Sequence, residues 1–142
     1  MTEELKHAIE LLRSDRAITL AVVNHGENRI FTARGVKPLL ELATAAPEFL
    51  EGASVADKVT GAASAFLLVQ GKVKELYTNV ISERAGDILD SHGIEYTAAM
   101  TVGGIVNRSG DGACPMETAV KEITDPKAAV KAISDKLTEL TK

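Results

Sequence analysis

The chain has one cysteine, no tryptophan, four prolines and an aromatic content of only 4%, and each scarcity removes a class of protein. A single cysteine excludes an internal disulfide framework and any Cys-x-x-Cys metal knuckle. The histidines His7, His25 and His92 share no ligand-like spacing with one another or with Cys114, so neither a metal site nor another cofactor is expected. Lysine and arginine form no cluster. They number 16 against 20 acids, for a net charge of -4, which argues against a nucleic-acid partner. No apolar run approaches the ~20 residues that cross a bilayer. Met1 to Arg13 is charged and amphipathic and lacks the apolar centre of a signal peptide, so the expectation is no membrane partner and a cytoplasmic location. No nucleophile-elbow motif stands behind a Ser/His/Asp triad.

What remains is an ordinary globular composition, 45% hydrophobic and 25% charged over 142 residues, which suits one domain with a core packed from alanine and small aliphatics. Leu5, Ile9 and Leu12 recur at helical spacing and predict a first helix over 3–14. Ala17 to Val23 and Arg29 to Ala33 read as a hairpin around a four-residue turn, His25-Gly26-Glu27-Asn28. Pro38 opens a short helix through Ala45, and Pro47 to Gly52 reads as a connector. Ser54-Val55-Ala56-Asp57 has the form of a capping box and predicts a central buried helix running from 54 to Gly71. Strands follow at Lys74 to Ile81 and Ile94 to Val102, with a Ser82-capped helix between them that Gly93 stops. A short helix from Pro115 to about Ile123 and a last one from Asp125-Pro126 complete the order α-β-β-α-α-β-α-β-α-α. That order predicts an α/β fold: a three-layer α-β-α sandwich with a mixed sheet.

Two segments carry chemistry. In Asn107-Arg108-Ser109-Gly110-Asp111-Gly112-Ala113-Cys114-Pro115-Met116-Glu117 a glycine-rich turn runs into a helix with a thiol at its entrance. A helix N-terminus carries unpaired N–H groups and positive partial charge, which attract anions and favour a thiolate at Cys114. Gly110 and Gly112 permit positive φ and present further N–H groups, and Arg108 is a forked donor for phosphate or carboxylate. Cys114 also reads as core filler, and Glu117, three residues on, reads equally as a capping-box acid or a general acid/base. The second segment is Asp57-Lys58-Val59-Thr60-Gly61-Ala62-Ala63. Asp57 and Lys58 read either as a cap and a surface lysine or as site residues. Gly61 inside a helix costs ~1 kcal/mol against alanine, which close packing or a ligand has to offset.

The two segments and their order resemble the cytidine-deaminase-like fold, over nearly the whole chain. In zinc deaminases the corresponding helices begin with a His/Cys-Ala-Glu motif and with Pro-Cys-x-x-Cys. Here neither ligand set is present, so the resemblance implies the scaffold without zinc-activated water. More closely, the chain resembles a small prokaryotic family of unknown function that shares this fold. That family's first pattern, Asp-Lys-Val-x-Gly-x-Ala-Ala, is met at 57–63, with Ser64 in place of the last alanine. Its second, Asn-Arg, a glycine turn and Cys-Pro-x-Glu, is met by Asn107, Arg108, Gly110, Gly112, Cys114, Pro115 and Glu117. The resemblance implies two helix entrances converging on one metal-independent pocket, and a homo-oligomer. In that pocket Cys114, Glu117, Lys58 and Asp57 are the catalytic candidates, and Gly61, Asn107, Arg108, Gly110 and Gly112 the ligand-binding ones. The expected partner is a small anionic metabolite or nucleotide. The alternative expectation is a non-catalytic binding or structural module.

Overall fold

The computed structural model describes residues 1–106, 110, 112 and 114–140. Helix α1 (Glu3–Ser14) leads into the hairpin β1 (Leu20–Asn24) and β2 (Glu27–Phe31), followed by α2 (Lys37–Ala45) and α3 (Pro47–Leu50). Then come β3 (Ser54–Thr60), α4 (Ala62–Gln70), β4 (Glu75–Ser82), α5 (Glu83–Ser91), β5 (Glu95–Val102), α6 (Pro115–Ala119) and α7 (Pro126–Leu140). The five strands form one sheet in the order β2-β1-β3-β4-β5. β1 is antiparallel to both neighbours, whereas β3, β4 and β5 are parallel, so the sheet is mixed.

The expected layers are present, with unequal weights. On one face α1 alone packs Leu5, Ala8, Ile9 and Leu12 against Ala21, Val23, Ala56 and Tyr77. The other face carries the main core, drawn from α2 through α7 around Phe66, Leu67, Leu76 and Ile133. Each fully buried leucine or phenylalanine there contributes roughly 1.5–3 kcal/mol. α4 is buried along seven consecutive residues, Ala62 to Leu68, because α2, α5 and α7 surround it above the sheet.

Segment 54–60 departs from expectation: it is strand, not helix. Val55 and Ala56 are wholly buried between β1 and β4, where backbone groups on both edges find ladder partners. The Ser-x-x-Asp pattern therefore has another use. Ser54 donates to Glu75 at 2.6 Å, and the same carboxylate takes the hydroxyl of Thr2, the N-cap that fastens α1. Gly61 is consequently the N-cap of α4 rather than an interior residue. Two smaller differences follow local chemistry. The hairpin turn has two residues, since His25 and Gly26 both adopt positive φ (53° and 73°), and the connector at 47–50 coils into α3 behind Pro47. Ser82 caps α5 by accepting from the Ala85 N–H at 3.1 Å, as its position predicts. No helix among the described residues is long and apolar enough to cross a membrane.

Candidate functional site at the β3–α4 junction

The carboxyl end of β3 and the first turn of α4 hold the centre of the arrangement. An α-helix begins with N–H groups that have no partner inside the helix. At α4 a side chain from 55 residues later supplies one: Glu117 accepts from the Ala62 N–H at 2.6 Å and from the Ala63 N–H at 2.9 Å. α6 aims it there because Met116 and Val120 sink into the main core and the Cys114 N–H bonds the Ile105 carbonyl at 3.1 Å. Charge on the acceptor and the positive helix end both strengthen these bonds.

Gly61 is required by this contact. A Cβ on it would lie 2.5 Å from Glu117 Oε1 and 2.7 Å from Cδ, inside any tolerable contact. The glycine's cost is thus offset by a close approach, as expected, but the approaching group belongs to the protein. The helix entrance is not an open anion site, and Glu117 caps α4 rather than its own helix.

Asp57 occupies the last turn of β3 before this junction. Part of its surface reaches solvent while its carboxyl is buried. Burial pushes that carboxyl up to about 7 from 3.8, against the opposing pull of the Thr60 hydroxyl and the Lys58 and Val59 N–H groups. Thr60 Oγ1 lies 3.0 Å from Asp57 Oδ2 and 3.0 Å from Thr78 Oγ1, which ties the carboxyl to the adjoining strand. Thr78 carries no motif in the sequence, and its role is visible only because it pairs with Asp57 in the sheet register.

The structure brings Asp57, Gly61 and Glu117 to one junction and adds Thr60 and Thr78. Cys114 stands at the head of Glu117's helix, half-buried, its side chain packed on the main core and without a capping bond among the described residues. Lys58 is turned elsewhere: its ammonium donates to the Arg16 carbonyl, so it does not stand guard over the thiol. Gly110 has the positive φ expected of a turn glycine (75°), and it and Gly112 are exposed. Asn107 and Arg108 lie outside the described residues. No group of three His, Cys, Asp or Glu residues among the described ones is placed to hold a metal ion. Two depressions, of about 260 and 590 Å³, lie at the opposite end of the sheet, near Ser54 and Lys74 and near Glu95 and Tyr96.

No curated protein matches the chain. The crystal structure of TM1506, a DUF1893 family protein from Thermotoga maritima, is similar to it at a TM-score of 0.83 and 25% identity, over 98% of this chain and 91% of that one. The family described as TM1506, a domain of unknown function (DUF1893), matches residues 7–137, which takes in the hairpin, the β3–α4 junction and both motif segments. The chain belongs to the DUF1893 family.

Proposed function

We propose that this DUF1893 protein is a deaminase-shaped, metal-independent enzyme whose site lies at the β3–α4 junction, with Asp57 as its proton-transfer group. The observation that carries this reading is Asp57 itself. Its carboxyl, buried at the carboxyl end of a central parallel strand, is pushed up to about 7, the range in which a side chain exchanges protons at neutral pH. Open α/β sheets place ligands in the crevice beyond the carboxyl ends of their strands. The deaminase-like scaffold is supported by the leading hairpin, the parallel strand–helix–strand units, and a late short helix that returns to the start of α4.

Cys114, half-exposed at the head of that helix, is the proposed source of thiol chemistry, and Glu117 holds the two helices in register. Gly61 keeps the junction closed, whereas Lys58 is assigned a structural part at Arg16. The substrate class, a small anionic metabolite or nucleotide, is drawn from Asn107, Arg108 and the glycines at 110 and 112.

A second reading has its own observation. Glu117 is fully used as a cap and Cys114 packs on the core, which suits a non-catalytic binding or structural module. Incubating wild type, Asp57→Asn and Cys114→Ser with a panel of nucleotides and phosphorylated metabolites separates the two, with mass spectrometry for conversion and thermal shift for binding. The enzymatic reading expects a compound that wild type converts and Asp57→Asn binds without converting. Full conversion by Asp57→Asn sinks it, and so does ligand stabilisation without conversion in all three proteins, the outcome the second reading expects.

A further inference from the structure

The hydroxyls beside Asp57 determine where its proton resides. Thr60 and Thr78 are both sealed from solvent. Thr60 Oγ1 is 3.0 Å from Asp57 Oδ2 and 3.0 Å from Thr78 Oγ1, and Thr78 Oγ1 is 3.0 Å from the Val80 carbonyl oxygen. Each of these oxygen–oxygen contacts needs a proton between its members, and each hydroxyl brings only one. The Val80 carbonyl can only accept, so the Thr78 proton is committed to it. Thr78 Oγ1 must then accept from Thr60, which commits the Thr60 proton. The contact between Thr60 and Asp57 is left with one possible donor, the carboxyl. With Asp57 ionised, Thr60 would have to turn towards it. Two buried hydroxyl oxygens would then face each other at 3.0 Å with no proton between them and no water to relieve them.

We propose that Asp57 is held as a neutral carboxylic acid at the head of a one-way hydrogen-bond chain through Thr60 and Thr78 to the Val80 carbonyl, and that it serves its site as a proton donor rather than a base. The donor role rests on the catalytic reading above; the placement of the proton does not. Burial of the carboxyl pushes its pKa in the same direction. The charged groups on the surrounding elements are engaged elsewhere. Lys58 is held by the Arg16 carbonyl, and Arg13 of α1 lies 3.4 Å from the Tyr77 hydroxyl. Glu75 of β4 is held by Ser54 and Thr2, and Glu117 of α6 by the start of α4. β1 and α4 contain no charged residue.

In the donation step the carboxyl O–H bond breaks with its electron pair left on Asp57, and the proton joins a lone pair on the substrate. The Thr60 hydroxyl then swings from Thr78 to the new carboxylate until solvent returns a proton. Carbon-13 NMR titration of the Asp57 carboxyl in the whole protein tests the chain. Thr78→Val leaves the Thr60 proton free for the carboxylate, so the Asp57 titration should move down by about one pH unit, roughly tenfold in proton affinity. Thr78→Ser, which restores the hydroxyl, should return it to the wild-type position. An identical titration in wild type and Thr78→Val overturns the proposal. Should Thr78→Val not fold, infrared difference spectra of wild type against Asp57→Asn at about pH 6 decide, where a carboxyl with a pKa near 7 is mostly protonated. A protonated-carboxyl band there supports the chain, and its absence refutes it. The metabolite panel can fail while this titration succeeds, so the two readings fall separately.

Discussion

Replacing Gly61 with alanine tests the β3–α4 junction through a side chain that Gly61 does not share a helix with. The added Cβ would stand 2.5 Å from Glu117 Oε1. A glutamate tip can move aside, so the clash itself costs little, but moving breaks the bonds to the Ala62 and Ala63 N–H groups. Hydrogen bonds to a charged partner are worth about 1.5–3 kcal/mol each. Water replaces part of that at a half-buried carboxylate, which leaves about 2–4 kcal/mol for Glu117→Ala and about 2–3 kcal/mol for Gly61→Ala. Because both changes remove the same bonds, the double variant should lose little more than Glu117→Ala alone, a coupling of about 2 kcal/mol. Urea unfolding of the four proteins measures this, provided the slope against denaturant stays constant across the set. Losses that simply add, or a Glu117→Ala loss below about 0.5 kcal/mol, would refute the argument that this carboxylate completes α4.

Two further outcomes concern pH. Asp57, raised from 3.8 to about 7, lets the folded state hold a proton that the unfolded chain has released. Its favourable contribution is therefore complete below about pH 4 and gone above about pH 7, so stability should fall across that window by about 2–4 kcal/mol, and Asp57→Asn should flatten the fall. Thermal unfolding of both proteins from about pH 4 to 8 checks it, and parallel curves would count against a raised Asp57. Glu75 runs the other way: burial pushes its carboxyl up, but the Ser54 and Thr2 hydroxyls and Lys74 outweigh it and leave it below the ordinary value. It stabilises the fold above the usual glutamate range and loses that contribution as pH falls. Acid unfolding should therefore be shallower in Glu75→Gln, by roughly 1 kcal/mol of pH-dependent stability.

The sequence made the periphery of the fold legible, and its errors cluster at the junction. The hairpin, the Ser82 cap, the stop at Gly93 and the Pro115 and Pro126 helix starts were readable because each is signalled within a few residues of where it acts. Segment 54–60 was not, because Ser54 and Asp57 imitate a cap while the pairing of Val55 and Ala56 on both sides depends on strands distant in the chain. Gly61 was the available signal. A glycine between a β-branched pair and an alanine run marks a strand-to-helix break better than a helix interior. At the site, Asp57, Gly61 and Glu117 were visible as residues, but not the fact that the last two touch. Lys58 looked like a partner for the thiol only while residues 54–60 were taken as helix. Thr78 gave no signal, since a threonine in a strand is ordinary until its neighbour is a buried acid.

The bond between Glu117 and the start of α4 also bears on how the molecule comes to be made. The helix at its centre waits for a residue 55 positions downstream to finish its first turn. A nascent chain leaves the ribosome from its amino end. When Ala62 and Ala63 emerge, their N–H groups have only water to meet, and the partner arrives after β5 has been synthesised. A fragment ending before α6 would carry the whole sheet yet lack the stopper on its most buried helix, so the final fifth of the polypeptide acts as the latch on the rest.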